Sequence, residues 1–214
     1  MFLIFFRGLI MGSSVYNISL LLDKTVCKKS YLKLLEENKF LYKEGITKCF
    51  NNLVLIAPLF YISNNYFLIN KSINNIEFLN IILLTLGHNV FYYFAHIMMH
   101  KINCIRFIHE FHHRFEKNMV PSIGNAVSES EFLFAYLFPF ISMTYILNPT
   151  QISLDISISI IAVLNMFIHT DLLYNLPYNY YLVSPKDHID HHNIQYKHYA
   201  APLINIDNLL NNKN

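Results

Sequence analysis

Four stretches of the chain are almost free of charge. Residues 53–69 (LVLIAPLFYISNNYFLI), 78–95 (FLNIILLTLGHNVFYYFA) and 132–147 (FLFAYLFPFISMTYIL) carry none, and 151–168 (QISLDISISIIAVLNMFI) carry only Asp155. Each approaches the roughly 17–25 residues that cross a bilayer as a helix. Polar turns at 71–76 and at 148–150 (NPT) separate them into two hairpins. The pattern predicts an all-α integral membrane protein with about four transmembrane helices. The N-terminal MFLIFFRGLIMGSSVYNISLLL is also apolar, but Arg7 interrupts it and no basic leader precedes it. It fits a membrane-lying helix or an extra span better than a cleaved signal peptide. The lysine-bearing residues 23–50 are expected to lie on the membrane surface. Three segments follow: 1–50, a membrane-associated, cytoplasmic N-terminal part; 51–83, the first hairpin region; and 84–210.

Composition strengthens the membrane assignment. Hydrophobic residues make up 54% and charged residues 14%, against roughly 25% charged in soluble domains, so little polar surface is left to cover four such helices. A net charge of +2, with no basic block longer than two residues, gives no reason to expect a nucleic-acid partner. Cys27, Cys49 and Cys104 are odd in number and lack CxxC spacing, which argues against a disulfide framework or a thiolate zinc site.

With four spans, the N-terminal region, the 100–130 segment and the 170–214 tail share one side. Lys24, Lys28, Lys29, Lys33, Lys39, Lys43 and Lys48 precede the first span. Lys101, Arg106, Arg114 and Lys117 follow the second, and Lys186, Lys197 and Lys213 follow the fourth. Only Lys71 falls opposite. The positive-inside rule makes the shared side cytoplasmic, and an extra N-terminal span leaves that orientation unchanged.

Nine of the eleven histidines then collect at that face as a cytoplasmic, histidine-rich helical cap. His96 and His100 end the second span; His109, His112 and His113 (HEFHH) follow it. His169 ends the fourth span, and His188, His191 and His192 (HIDHH) follow. On a helix, positions i, i+3 and i+4 share a stripe about 100° wide, so HxxHH presents three imidazoles together. In SPKDH, Ser184 can cap a helix, Pro185 suits its first position and Asp187 can partner the cap. Eight or nine neutral imidazoles are too many for one ion and suit two. Imidazole accepts iron, copper, zinc or nickel, and the spacing does not choose among them. Asn89 lies seven residues before His96, only about 20° off its face; it can hold water beside the ligands or make a buried structural bond. His88 points away from that face, and His198 has no assigned role. Glu110, Glu131, Asp171, Asp187, Asp190 and Asp207 are carboxylates available to orient the imidazoles.

HxxxH, HxxHH and HxxHH over four membrane helices resemble the fatty acid hydroxylase superfamily, which includes sterol desaturases, sterol C4-methyl oxidases and alkylglycerol monooxygenase. The resemblance rests on HNVFYYFAHIMMH (88–100), HEFHH (109–113), FIHTDLLYNLP (167–177) and SPKDHIDHHNIQYKHYAAPLINID (184–207). It implies that segment 84–210 is a fatty acid hydroxylase-like domain. It also implies two iron ions held by His96, His100, His109, His112, His113, His169, His188, His191 and His192, with O2 as co-substrate. The implied function is hydroxylation or desaturation at a C–H bond of a sterol, fatty-acyl, sphingolipid or alkyl lipid. Electrons in such enzymes come from a separate cytochrome b5 or reductase, and the usual membrane is the endoplasmic reticulum. The chain departs from the family pattern where Ile97 replaces an Arg, where Asn89 replaces an Asp, and where a His-Pro-x-Glu pattern is reduced to Ser128–Glu131. Glu131 is the match to the Glu of that pattern. Two other classes remain compatible with the residues: a membrane metal transporter, and a silent scaffold of the same fold.

Overall fold

Proline and glycine determine how the N-terminal helices meet. The structure is a computed structural model that describes residues 1–65, 68 and 76–211. Helix α1 (Phe2–Lys24) is followed by α2 (Lys28–Phe50), which passes through a π-helical stretch, Asn51–Ile56, into α3 (Ala57–Asn64). Pro58 has no N–H to give to the helix, and the Ala57 N–H before it reaches back five residues to the Asn52 carbonyl. The same arrangement recurs between α6 (Glu129–Glu131) and α7 (Phe138–Leu147). There the Phe138 N–H bonds the Leu133 carbonyl just before Pro139. Proline inside a helix removes one ladder bond, and a π-bulge is one way to absorb the loss. Against the first bulge, α1 packs through Gly8 and Gly12. A Cβ at Gly12 would come within 1.7 Å of the Leu53 carbonyl oxygen, and one at Gly8 within 2.8 Å of the Pro58 Cα. Glycines four apart let two membrane helices approach backbone to backbone, and GLIMG is the sequence signal for this contact.

Among the described residues five helices, not four, are long and apolar enough to cross a membrane: Phe2–Lys24, Lys28–Asn64, Ile76–Lys101 (α4), Glu129–Leu147 and Gln151–Ile168 (α8). The N-terminal stretch is one continuous helix, despite Arg7. Arg7 pairs with Asp155 on α8, which explains how both charges are tolerated in apolar segments. Residues 28–50, expected as a surface segment, are the first turns of the second long helix. It kinks at Asn38 (φ −154°), whose side-chain oxygen takes the Leu41 N–H at 3.0 Å. Helix α3 ends at Asn64; residues 66, 67 and 69 of the stretch read over 53–69, and Lys71 with residues 71–75 of the expected turn, lie outside the described residues.

Outward-facing positions are apolar, with Phe78, Phe94, Leu133, Phe138 and Val163 all exposed. Polar side chains pack inward: Asn64 donates to Thr144 (3.1 Å), and Glu77 accepts from Thr150 (2.7 Å) and from Ser153. Helix α4 packs on both α7 and α8. Segments 102–128 and 169–211 join or extend the ends of these helices and form a cap over one end of the bundle. The cap holds α5 (Phe107–Glu110), 3-10 turns at His112–Arg114, Pro121–Asn125 and Asp171–Leu173, α9 (Pro185–Ile194) and α10 (Ile206–Asn211). Buried Asp23 pins α1 to this cap, accepting from the Ser122 N–H (3.1 Å) and hydroxyl and from the Tyr42 hydroxyl (2.9 Å). Among the described residues there is no β-strand, only an isolated bridge between Leu182 and Ile204.

Candidate metal centre

Each histidine pattern reaches the centre by a different local structure. His96 and His100 sit one turn apart at the end of α4. HEFHH is split between the short α5 and a 3-10 turn, which still turns His109, His112 and His113 inward. HIDHH lies on α9. Ser184 caps that helix, accepting the Asp187 N–H at 3.0 Å, with Pro185 at its start. The Asp187 carboxylate accepts from Asn205 (3.2 Å) instead of reaching back to the cap. His169 follows the last residue of α8.

The nine histidines fall into two groups. His96, His100, His109, His113 and His191 form one; His112, His169, His188 and His192 form the other. Within each group the ligand atoms lie within 4.8 Å of one another. The i, i+4 pairs stay together (96 with 100, 109 with 113, 188 with 192), whereas the middle residue of each HxxHH crosses to the opposite group. His88 and His198 belong to neither group.

Tautomers follow from the outer hydrogen bonds. The Nδ1 atoms of His96, His191 and His169 each lie 2.7 Å from a main-chain carbonyl, of Tyr199, Lys197 and Asn165 respectively. His112 Nδ1 lies 3.4 Å from the Ala126 carbonyl, and His109 Nδ1 lies 2.7 Å from a Glu131 carboxylate oxygen. The carbonyl oxygens only accept, so the Nδ1 atoms of His96, His191, His169 and His112 carry the proton, and in a neutral ring Nε2 is then a bare lone pair. Bare Nε2 atoms nevertheless face each other. His96 is 3.0 Å from His191, and His169 is 3.2 Å from His112. Two lone pairs at that distance repel unless a cation lies between them. His192, fully buried, has no hydrogen-bond partner at either ring nitrogen. The residues present therefore fit metal ions.

Burial keeps the cap imidazoles neutral, as metal ligation requires. It pushes His109, His112, His188 and His192 well below the ordinary histidine range, and neighbouring histidines act in the same direction. His113 and His191 are pushed down to about 3 and His169 to about 4, by burial first in each case.

Of the carboxylates singled out from the sequence, Glu131 touches a histidine. It is completely buried, and Ser128 caps its turn, accepting the Glu131 N–H at 3.0 Å. Asp207 instead accepts from the Ala200 N–H (2.7 Å) and the Tyr93 hydroxyl (3.3 Å). Asp190 accepts from Tyr174 (2.9 Å) and Asp171 from Ser30 (3.2 Å). Asn89 does not reach the ligands. Its Oδ1 takes the N–H groups of Leu203 (2.8 Å) and Ile204 (3.0 Å), and its Nδ2 donates to the Ile204 carbonyl (3.3 Å). Its near-alignment with His96 aims it at the C-terminal tail, which packs there, so it is a structural clamp. Sequence reasoning missed Asn165, whose carbonyl holds His169. A main-chain acceptor has no signature in residue type.

Fold and site together define an all-helical, membrane-embedded protein with paired histidine clusters at one end of its bundle. The fatty acid hydroxylase family matches residues 81–212, which include all nine histidines, and the chain belongs to that family. The family consists of membrane-embedded, lipid-acting oxidoreductases. No curated protein and no solved structure matches the chain.

Proposed function

We propose that this chain oxidises an unactivated C–H bond of a membrane lipid with O2, as a hydroxylase, monooxygenase or desaturase, at a centre of two iron ions. His96, His100, His109, His113 and His191 would hold one ion, and His112, His169, His188 and His192 the other. The observation that carries this reading is the facing of Nε2 lone pairs, His96 with His191 and His169 with His112, fixed by outer bonds to main-chain carbonyls. Bound iron would supply the redox chemistry that acid–base side chains lack.

The chain's own residues supply the rest. With a cation in the first group, Glu131 as a carboxylate would take the hydrogen bond of His109 Nδ1 and add negative charge there, which raises ligand basicity. Carbonyls of Tyr199, Lys197, Asn165 and Ala126 fix four other rings. The apolar spans expose the bundle to lipid, so the substrate arrives laterally. The Asp23–Ser122 bonds place the end of α1, and with it Lys24 and the start of α2, at the histidine end. The lysines there favour a cytoplasmic orientation, in the endoplasmic reticulum or an equivalent membrane. Electrons would come from a separate cytochrome b5 or reductase.

The test is to express the chain in yeast membranes beside its His191→Ala variant, analyse sterols, sphingolipids and fatty acids by mass spectrometry, and measure iron on the purified proteins. A lipid with one more oxygen or two fewer hydrogens, seen only with the intact chain and with about two irons per chain, is expected from the two groups. An iron-free chain that leaves every lipid unchanged would overturn the proposal.

A further inference from the structure

The segment that leads from α8 to α9 reads LLYNLPYNYYLVSP, residues 172–185, and carries no charge. Residues 175–182 are all exposed. With Leu172 they present three leucines (Leu172, Leu176, Leu182) and three tyrosines (Tyr178, Tyr180, Tyr181) on one loop of the cap. A contiguous apolar patch of this kind marks an interaction surface. Tyrosine beside leucine suits the level at which acyl chains meet headgroups, because the ring is apolar and its hydroxyl polar.

The loop lies against the outer side of the bundle. Tyr178 packs on Phe167, in the last turn of α8, with ring centroids 6.0 Å apart. The chain has therefore turned back to the depth at which that helix ends. Leu172 and Leu173 share a groove of about 360 Å³ with Ile18 and Leu22 of α1 and with Val163 and Phe167 of α8. Ile18 and Val163 are exposed on helices long and apolar enough to cross a membrane, so one apolar surface runs from those helices onto the loop. Main-chain bonds fix the loop's shape. The Val183 N–H reaches the Leu203 carbonyl (2.9 Å), the Leu182 N–H reaches that of Asn179 (3.0 Å), and the Tyr181 carbonyl accepts from the Asn205 N–H (2.9 Å). Main-chain groups that are already paired cost less to take out of water.

We infer that residues 172–182 dock into the headgroup boundary of the bilayer, in the leaflet at the histidine end, with a phospholipid surface as their partner. Leucine and tyrosine side chains make the contact, and charge plays no part in it. A second copy of the chain could also cover such a patch, but continuity with the outward-facing surfaces of α1 and α8 selects lipid. The loop runs from just beyond His169 to the Ser184 cap of α9, so docking holds that edge of the cap against the membrane. The inference stands apart from the metal and the reaction proposed above.

The chain has no tryptophan, so a single introduced one reports its own surroundings. The test places Leu176→Trp, Tyr181→Trp, Phe94→Trp and Lys117→Trp one at a time in the full chain, in phosphatidylcholine vesicles whose acyl chains are brominated near the headgroup. Phe94 is exposed on α4 within the span, and Lys117 is exposed in the cap. Leu176 and Tyr181 are exposed too, so neither replacement disturbs packing. Emission at both loop positions is expected to be blue-shifted and to lose most of its intensity to bromine, as at Phe94→Trp, while Lys117→Trp keeps its own. Adding anionic phospholipid should leave the quenching unchanged. Red-shifted, unquenched emission at both loop positions would overturn the inference and put the loop in water. Blue-shifted but unquenched emission would overturn it in favour of a second copy or a protein partner. Quenching that requires anionic phospholipid would overturn recognition without charge.

Discussion

The two histidine groups are built alike and finished differently. His100 of the five-histidine group is only partly buried, and with His109 and His113 it lines a polar opening of about 170 Å³ that also carries Arg106, Glu110 and Arg114. The four-histidine group is buried throughout, and none of its members lines that opening. One group has a carboxylate directly on a ligand; the other has main-chain carbonyls at His169 and His112 and an unpartnered His192. A site with a route to water and an anionic support takes up and releases a cation more readily than one sealed within the chain. Two ions bound as proposed should therefore differ in exchange rate even though imidazole would hold both.

The strongest way to break this comparison is to remove one ligand from each group. His191→Ala and His169→Ala should each cost at least about 100-fold in lipid oxidation, beyond the 10–100-fold typical of an outer partner. They should differ in how the remaining metal leaves. With a chelator, the intact chain is expected to release iron in a fast and a slow phase. His191→Ala should lose the fast one and His169→Ala the slow one. A single phase in the intact chain would refute the asymmetry. Glu131→Gln keeps the hydrogen bond to His109 but removes the charge. It should lower metal affinity or activity about 10–100-fold and accelerate only the fast phase, read by the same chelator assay.

Much of the histidine-rich end was legible in the sequence, because histidine is rare enough for HxxxH and HxxHH to stand out and because hydrophobic runs fix where helices end. The Ser184 cap was legible for the same local reason. The division of ligands between the groups was not. It depends on how α9 meets the α5 turn, a tertiary relation with no local pattern. The N-terminal third was read less well. Arg7 suggested an interrupted segment, yet α1 is continuous through it, and GLIMG at 8–12 signalled close packing that a search for charge and hydropathy passes over. Asn89 was placed on the correct helix face, but what that face meets was not in the pattern.

Acid provides a milder test on the metal-free chain. An unfolded histidine titrates near 6.5, while His169 is pushed down to about 4 and His113 and His191 to about 3. The unfolded chain therefore binds more protons through that interval. The stability associated with keeping these rings neutral is fully present above about pH 6.5 and is lost as pH falls toward 4 and then 3. Thermal midpoints of the metal-free protein should drop steadily over that window. Loaded protein should resist the first part of it, because protons must then compete with iron for the same nitrogens. A midpoint unchanged between pH 7 and 4.5 would show that the cap rings are not held neutral by burial.

The smallest expected difference lies in the two asparagines that support the groups from behind. Replacing Asn89 with Ala leaves the N–H groups of Leu203 and Ile204 without their shared acceptor, at a cost of about 1–3 kcal/mol. The tail they belong to also carries Tyr199, whose carbonyl fixes His96, so the loosening should reach the five-histidine group and quicken its metal release. Replacing Asn165 with Ala removes the bond from its amide to the Gly124 carbonyl (2.7 Å) but keeps the main-chain carbonyl that holds His169. The four-histidine group should then release metal at nearly its original rate. If Asn165→Ala instead opens that group as far as Asn89→Ala opens the other, side-chain packing around Gly124, not the carbonyl to His169, keeps the inner site closed.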